Sequence, residues 1–307
     1  MKILFTDPLH NEGIRLLKNA NFEVIDGTNT SKEKKISLSR DVDAWLIRSG
    51  TTINKKAIDR AQKLKIIGRA GVGVDNIDIE YATKRGIVVT NTPDVNTTSA
   101  CEHTIALMLT LSRNISLGDQ SIKNGNWNRN ELIGTELRSK TIGIIGMGKI
   151  GRELMKRCLS FEMKILAYDP YVNKEIVERE NVVLVPLNDL FSNSDFISTH
   201  VPLNDYTRDL INKESFSLMK SNVRIINVAR GGIINEKDLA EALKKNKIAG
   251  AAIDVFSKEP IERNNPLINA PNIILTPHLG ASTEEAKKGV STAICKQVID
   301  YLLNDKI

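Results

Sequence analysis

The stretch Thr-Ile-Gly-Ile-Ile-Gly-Met-Gly-Lys-Ile-Gly, residues 141–151, constrains the fold more than any other in the chain. An apolar β-like run enters Gly146-x-Gly148-x-x-Gly151, and an amphipathic helical pattern follows. Each glycine has a mechanical reason. The first permits a tight turn out of a buried strand. The second lets backbone approach a pyrophosphate, and the third lets helix and strand pack closely. The helix N-terminus then turns its unpaired N–H groups toward the phosphates. The glycine spacing is weak evidence alone, but the strand before it and the helix after it are the context it requires. The next apolar run, Lys164–Tyr168, ends in Asp169, where a carboxylate accepts from ribose hydroxyls and repels a 2′-phosphate. Gly146, Gly148, Gly151 and Asp169 therefore predict a bound dinucleotide, NAD rather than NADP.

Two series of alternating strands and helices surround this motif. At 307 residues the chain is long enough for two domains. Strands are expected at Lys2–Phe5, Phe22–Ile25, Ala44–Ile47, Lys65–Gly68 and Ile87–Thr90, then at Thr141–Ile145, Lys164–Tyr168, Phe196–Thr199, Arg224–Asn227, Ile248–Ala252 and Ile273–Leu275. Strands alternating with helices form parallel sheets covered on both faces. The expected fold class is α/β, with two Rossmann-like or flavodoxin-like doubly wound parallel-sheet domains. One long helix, Thr98–Asn124, with N-caps offered by Thr97, Thr98 and Ser99, would connect them. A last helix from about Thr283 to Leu303 has no strand after it, so it should pack back on the first domain. That gives a discontinuous domain of residues 1–98 and 283–307, and a second of 99–282 that includes the connecting helix.

Composition removes several classes of function. Hydrophobic residues are 41% and charged residues 26%, as in globular proteins. No apolar run approaches the roughly 18–20 residues that span a bilayer, so no membrane partner is expected. The net charge of +6 is spread along the chain rather than gathered in a stripe, so no nucleic-acid partner is expected. Its densest cluster, Ser31–Lys35, reads as the solvated face of a short helix. Three distant cysteines, Cys101, Cys158 and Cys295, suit reduced thiols and a cytoplasmic location. No metal is expected.

Three later segments carry reactive groups at the ends of expected strands: Asn227-Val228-Ala229-Arg230, Asp254 through Glu259-Pro260, and Thr276-Pro277-His278. Ligands in open α/β sheets collect at strand carboxyl ends, so these segments should converge. A base, a cation and a group that orients the base are what hydride removal from a secondary alcohol requires. Upstream, Gly71-Val72-Gly73-Val74-Asp75-Asn76 also follows a strand. With Asn76 in the third glycine position it is a poor dinucleotide loop. It reads equally as a nest of N–H groups for a small anion or as a plain βα turn.

In order and position these motifs resemble the D-isomer-specific 2-hydroxyacid dehydrogenase family over essentially the whole chain. Gly68 to Asn76, Asn91-Thr92-Pro93, Gly134-Thr135-Glu136-Leu137 and His278 to Thr283 add to the resemblance. It implies that His278 is the acid/base, Glu259 its hydrogen-bonded partner and Arg230 the carboxylate-binding cation. It implies that Lys149 and Ile150 flank the pyrophosphate and that Asp254 lies beside the nicotinamide. His200, Val201, Pro202, Val228, Ala229, Gly280 and Ala281 would line the NAD cleft with Arg230 and His278. His200 would support this cleft rather than transfer a proton. Gly71, Val72 and Gly73 would hold the carboxylate of a small anionic 2-hydroxy acid with Arg230 and His278. Arg48, Arg69 and Arg129 suit a phosphate on that substrate, because the guanidinium fork binds phosphate bidentately. Formate dehydrogenases pair their histidine with glutamine where Glu259 stands, so this chain resembles them less.

The resemblance also implies a homodimer, through the long helix and the Trp127 loop. Two other functions stay open: reduction of glyoxylate or hydroxypyruvate, and NAD sensing by a corepressor-like binding protein. The sequence stops at Ile307, directly after the catalytic core, so feedback control through the C-terminal regulatory module of longer members is not expected.

Overall fold

A computed structural model describes residues 1–172 and 182–304. The chain forms two compact units, residues 1–96 with 281–307 and residues 97–280.

The first unit is built on five parallel strands: β1 (Lys2–Phe5), β2 (Glu23–Asp26), β3 (Ala44–Ile47), β4 (Ile66–Arg69) and β5 (Val88–Asn91). They lie in the order β2-β1-β3-β4-β5. Helices α1 (Asn11–Asn19), α2 (Lys32–Leu38), α3 (Lys55–Arg60) and α4 (Ile79–Lys84) connect them. His10 caps α1, its Nδ1 accepting from the Glu12 N–H at 3.2 Å. Ser31 caps α2 in the same way. The central strand β3 is buried along its whole length, as a strand covered on both faces must be.

The second unit opens with α5 (Thr97–Arg113) and α6 (Ile115–Lys123). The sequence predicts one helix here, but Asn114 stands in the left-handed region at φ 53° and breaks it. Asn tolerates that backbone better than other side-chain-bearing residues. The helix also starts at Thr97, so the threonines expected to cap it lie in its first turn. The sheet follows with β6 (Thr141–Ile145), β7 (Lys164–Tyr168), β8 (Val182–Leu184), β9 (Phe196–Thr199), β10 (Arg224–Asn227), β11 (Gly250–Ile253) and β12 (Ile273–Leu275). Its connecting helices are α7 (Lys149–Ser160), α8 (Leu187–Asn193), α9 (Lys213–Leu218) and α10 (Glu236–Lys244). Three-residue β8, at the edge, was not anticipated from sequence. The last helix, α11 (Glu284–Asn304), packs on α1 and β4 of the first unit.

The second sheet has the order β12-β11-β10-β9-β6-β7-β8, all parallel. Its direction of growth reverses between β6 and β9, which opens the crevice where doubly wound sheets bind ligands. Register aligns the strand ends: Ile145 pairs with Tyr168 and Thr199, Thr199 with Asn227, Asn227 with Ile253, and Ile253 with Leu275. The next residues, Asp169, Gly146, His200, Val228, Asp254 and Thr276, thus leave the sheet in one level row. On α7 the buried set Gly151, Leu154, Met155 and Cys158 follows the helical period and packs the helix against α5, β6 and β7. Full burial of Leu154 is worth roughly 2 kcal/mol. Among the described residues no helix is long and apolar enough to cross a membrane.

Candidate active site

The glycine loop occupies the switch point. Gly146 has φ 98°, and a Cβ there would lie 2.6 Å from the His200 carbonyl oxygen, so the loops after β6 and β9 touch backbone to backbone. A Cβ on Gly151 would overlap the Gly146 carbonyl oxygen, which is how closely α7 meets the turn. A Cβ on Gly148 would meet nothing within 4 Å. The first and third glycines are therefore required by the protein itself. The second leaves open space at the N-cap of α7, as a pyrophosphate requires. Exposed Lys149 and half-buried Ile150 form the first turn of that helix. Asp169 Oδ2 accepts from the Met147 N–H at 2.8 Å and Oδ1 from the Tyr171 N–H at 2.9 Å. Its carboxylate is thereby anchored beside the loop. These residues fit NAD.

His200 Nε2 lies 2.9 Å from Ser198 Oγ. Burial pushes its imidazole down to about 4, so it is neutral at physiological pH. A neutral ring held by the serine suits support of the loops. Val201 is half-buried and Pro202 exposed just beyond it.

The reactive groups come from the neighbouring loops of the same unit. Buried Asn227 ends β10. Its Oδ1 accepts from the Ala229 N–H at 3.0 Å and from Thr199 Oγ1 at 2.9 Å, while its Nδ2 donates to the Arg230 carbonyl at 2.9 Å. This side chain shapes the turn Val228–Ala229–Arg230, and Arg230 Nη1 donates to the Ala229 carbonyl at 2.6 Å.

His278 Nδ1 and Glu259 Oε2 are 2.7 Å apart, both partly exposed. Glu259 Oε1 accepts from the Phe256 N–H at 3.0 Å. Burial acts to raise the Glu259 pKa, but the bonds from His278 and Phe256 outweigh it and hold the carboxylate below its ordinary range. An ionised Glu259 requires the proton on Nδ1, which leaves Nε2 as the acceptor of the neutral ring. Glu236 supports this loop from α10. Its Oε1 accepts from Ser257 N–H at 2.6 Å and Ser257 Oγ at 2.7 Å, and its Oε2 accepts from Asn265 Nδ2 at 2.6 Å.

Asp254 is fully buried and mostly committed to protein donors: Thr276 Oγ1 at 2.6 Å, Leu279 N–H at 2.7 Å, Gly280 N–H at 2.9 Å and His103 Nε2 at 3.2 Å. Burial acts to raise its pKa, and these donors hold it low. Oδ2 accepts only the Gly280 bond among those donors. Sequence reasoning assigned no role to Asn227, Glu236 or His103. Asn227 and Glu236 have a local signal, polar side chains at a strand end and a helix start.

The remaining candidates divide between the units. In the first unit the Arg48 N–H donates to Asp7 Oδ2 at 2.6 Å and its carbonyl accepts from Asn76 Nδ2 at 2.7 Å. Burial pushes the Arg48 guanidinium down, opposed by Asp7. The Arg69 guanidinium lies over Gly71, whose φ of 146° and missing side chain make room for it. Asn91 Nδ2 holds the Val72 carbonyl at 2.6 Å, and Gly73 follows in the same loop. Arg48, Arg69 and residues 71–76 thus gather at the carboxyl ends of β3 and β4. Ala281 begins the return of the chain to this unit. Arg129 belongs to the second unit, in an exposed 3-10 turn outside the row of site loops. The cysteines offer no nucleophile. All three are free and buried, and burial pushes Cys101 up to about 11 and Cys158 and Cys295 up to about 12.

A glycine loop at a switch point, with a histidine–carboxylate pair and an arginine on adjacent loops, defines a dinucleotide-binding unit equipped for proton transfer. Residues 105–280 match the family model "D-isomer specific 2-hydroxyacid dehydrogenase, NAD binding domain". The chain belongs to this family, and its second unit contains the NAD-binding domain. It is 48% identical over 299 residues to a D-3-phosphoglycerate dehydrogenase of Methanocaldococcus jannaschii, covering 97% of this chain and 57% of that relative. The chain thus spans little more than half the length of that protein. Among solved structures it resembles TT0316 from Thermus thermophilus at TM-score 0.91 and 30% identity, covering 98% of this chain and 97% of the other. It resembles Aquifex aeolicus D-lactate dehydrogenase, solved with NAD and lactic acid, at TM-score 0.86 and 27% identity, covering 99% and 96%.

Proposed function

We propose that this protein is a cytoplasmic NAD-dependent dehydrogenase that oxidises D-3-phosphoglycerate to 3-phosphohydroxypyruvate, a step that feeds serine formation. The observation that carries the chemistry is the His278–Glu259 pair, which fixes the tautomer a general base needs. Bound NAD would supply the acceptor for the hydride that leaves C2 with its C–H bond. His278 Nε2 takes the hydroxyl proton as that C–H bond breaks and the C2–O bond becomes a carbonyl. Glu259 stabilises the resulting imidazolium, and Arg230 holds the carboxylate and polarises the C2 oxygen. Gly146, Gly148, Lys149, Ile150, Gly151 and Asp169 are assigned to the pyrophosphate and ribose. His200, Val201, Pro202, Val228, Ala229, Asp254, Gly280 and Ala281 are assigned to the rest of the cofactor. Gly71, Val72 and Gly73 are assigned to the substrate carboxylate, and Arg48, Arg69 and Arg129 to the phosphate. The name of the archaeal relative favours this substrate, and so does the pair of arginines gathered beside residues 71–76. The free cysteines suit a reducing compartment.

We further propose a homodimer. The second unit exposes apolar side chains on α6 and the segment after it: Ile115 at 54%, Ile122 at 56%, Trp127 at 81% and Ile133 at 83%. A run of this kind is what an interface covers.

The deciding experiment is NADH consumption with phosphohydroxypyruvate beside glyoxylate, hydroxypyruvate and pyruvate. Preference for the phosphorylated acid is expected. Preference for another of the four keeps the His278 chemistry and removes the phosphate assignment. NADH binding without turnover of any of them removes the enzyme reading in favour of an NAD-sensing protein.

A further inference from the structure

His278 sits at φ 54°, a left-handed backbone that a residue with a side chain keeps only when its surroundings hold it there. Asp254 is what its turn is wrapped around. The Asp254 carbonyl accepts from the His278 N–H at 2.9 Å. Oδ1 accepts from Leu279 N–H at 2.7 Å and Thr276 Oγ1 at 2.6 Å, and Oδ2 from Gly280 N–H at 2.9 Å. One carboxylate therefore gathers residues on both sides of His278.

That carboxylate is 0% exposed. A buried anion is tolerated only where donors satisfy its lone pairs, and each donor fixes it further. A further donor comes from α5. His103 Nε2 lies 3.2 Å from Asp254 Oδ1 and 3.3 Å from Thr276 Oγ1, with its side chain 18% exposed. An ionised Asp254 only accepts, so Nε2 carries a hydrogen. Two carboxylates flank the turn, and each meets a histidine: Glu259 meets His278, and Asp254 meets His103.

We infer that His103 is a positioning residue: its Nε2–H fixes Asp254, and through Asp254 it fixes the 276–280 turn that aims His278. The inference rests on the reading of His278 as the acid/base. The test compares His103→Leu, which removes the donor, with His103→Gln, whose amide N–H reaches the place of Nε2. Hydrogen exchange of the Leu279 and Gly280 amides, kcat for the best 2-keto acid, and NADH affinity by fluorescence are measured together.

In His103→Leu those amides should exchange roughly 10-fold faster. Its kcat should fall about 10- to 100-fold, the scale of a small misplacement of a catalytic group. NADH affinity should stay within about 3-fold, and His103→Gln should recover most of the lost protection and rate. Unchanged exchange and kcat in His103→Leu would overturn the inference. So would a loss that glutamine does not restore, since ring bulk rather than the donor would then matter. If His103→Leu does not fold, His103→Phe, which keeps a ring and removes the donor, takes its place, and unchanged exchange there overturns the inference as well. Exchange that responds to His103 in a wild-type protein without turnover would overturn the acid/base reading alone. Unresponsive exchange in an active protein would overturn the brace alone.

Discussion

Alanine at Gly148 and alanine at Gly151 should produce opposite defects, although both glycines belong to one motif. Gly148 has φ −70° and ψ −163°, a backbone that alanine adopts without strain, and its Cβ would meet nothing within 4 Å. Replacing glycine at such a position costs the folded protein nothing and restricts the unfolded chain, a gain of about 0.4–1 kcal/mol. The new methyl group does occupy the space assigned to the pyrophosphate. Overpacking there costs about 1–3 kcal/mol, which weakens NADH binding roughly 5- to 150-fold. At Gly151 the Cβ would overlap the Gly146 carbonyl oxygen and lie 3.1 Å from its carbon. Helix α7 must then retreat from the turn, at a similar cost of about 1–3 kcal/mol paid in stability. For a unit of this size that lowers Tm by roughly 3–10 °C. Thermal melts without cofactor and fluorescence titrations with NADH separate the two effects. Wild-type NADH affinity in Gly148→Ala, or an unchanged Tm in Gly151→Ala, would refute the division of labour between these glycines.

Acid should destabilise the second unit through His200. Its pKa in the folded protein is pushed down to about 4, below the ordinary value of 6.5, so between those values the unfolded chain binds the extra proton. This contribution is complete above about pH 6.5 and is lost as pH falls toward 4, roughly 3 kcal/mol in all. Urea titrations should show a shallower pH slope for His200→Gln than for wild type over that window, and equal slopes would remove the assignment. Glu236→Ala should loosen the loop that carries Glu259. It should cost about 1–3 kcal/mol in denaturant titrations, and turnover should fall more than NADH affinity. Trp127→Ser combined with Ile133→Ser should shift sedimentation toward the monomer. A wild-type protein that sediments as a monomer would refute the proposed interface.

Much of this architecture was legible because parallel α/β sheets write themselves locally. Each strand is a short apolar run, and the Gly146–Gly151 loop announces its turn and its helix. What was lost is also local in cause. Asn114 breaks a helix within a sequence that stays helical on both sides, because one left-handed residue leaves the apolar period nearly intact. Strand β8 is three residues at an edge, too short for a pattern. In the site the resemblance supplied one connection, His278 to Glu259, and the others were legible only as residue types. Asp254 read as a carboxylate after a strand, but its donors lie 22 to 26 positions downstream and, at His103, 151 positions upstream. His103 itself looked like one more polar residue on a connecting helix. Only the packing of α5 against β11 and β12 gives it a partner.

The level row from Asp169 to Thr276 works as a ruler. Its six loops leave strands spaced about 4.8 Å apart, so the row extends for roughly 24 Å. A molecule gripped at the Asp169 end has its other end delivered to the His278 turn at a distance set by the hydrogen-bond spacing of the sheet, not by any side chain. Substitutions in the loops can alter how strongly a ligand is held. To alter where its far end arrives, the chain would have to gain or lose a strand, or slip one past its neighbour.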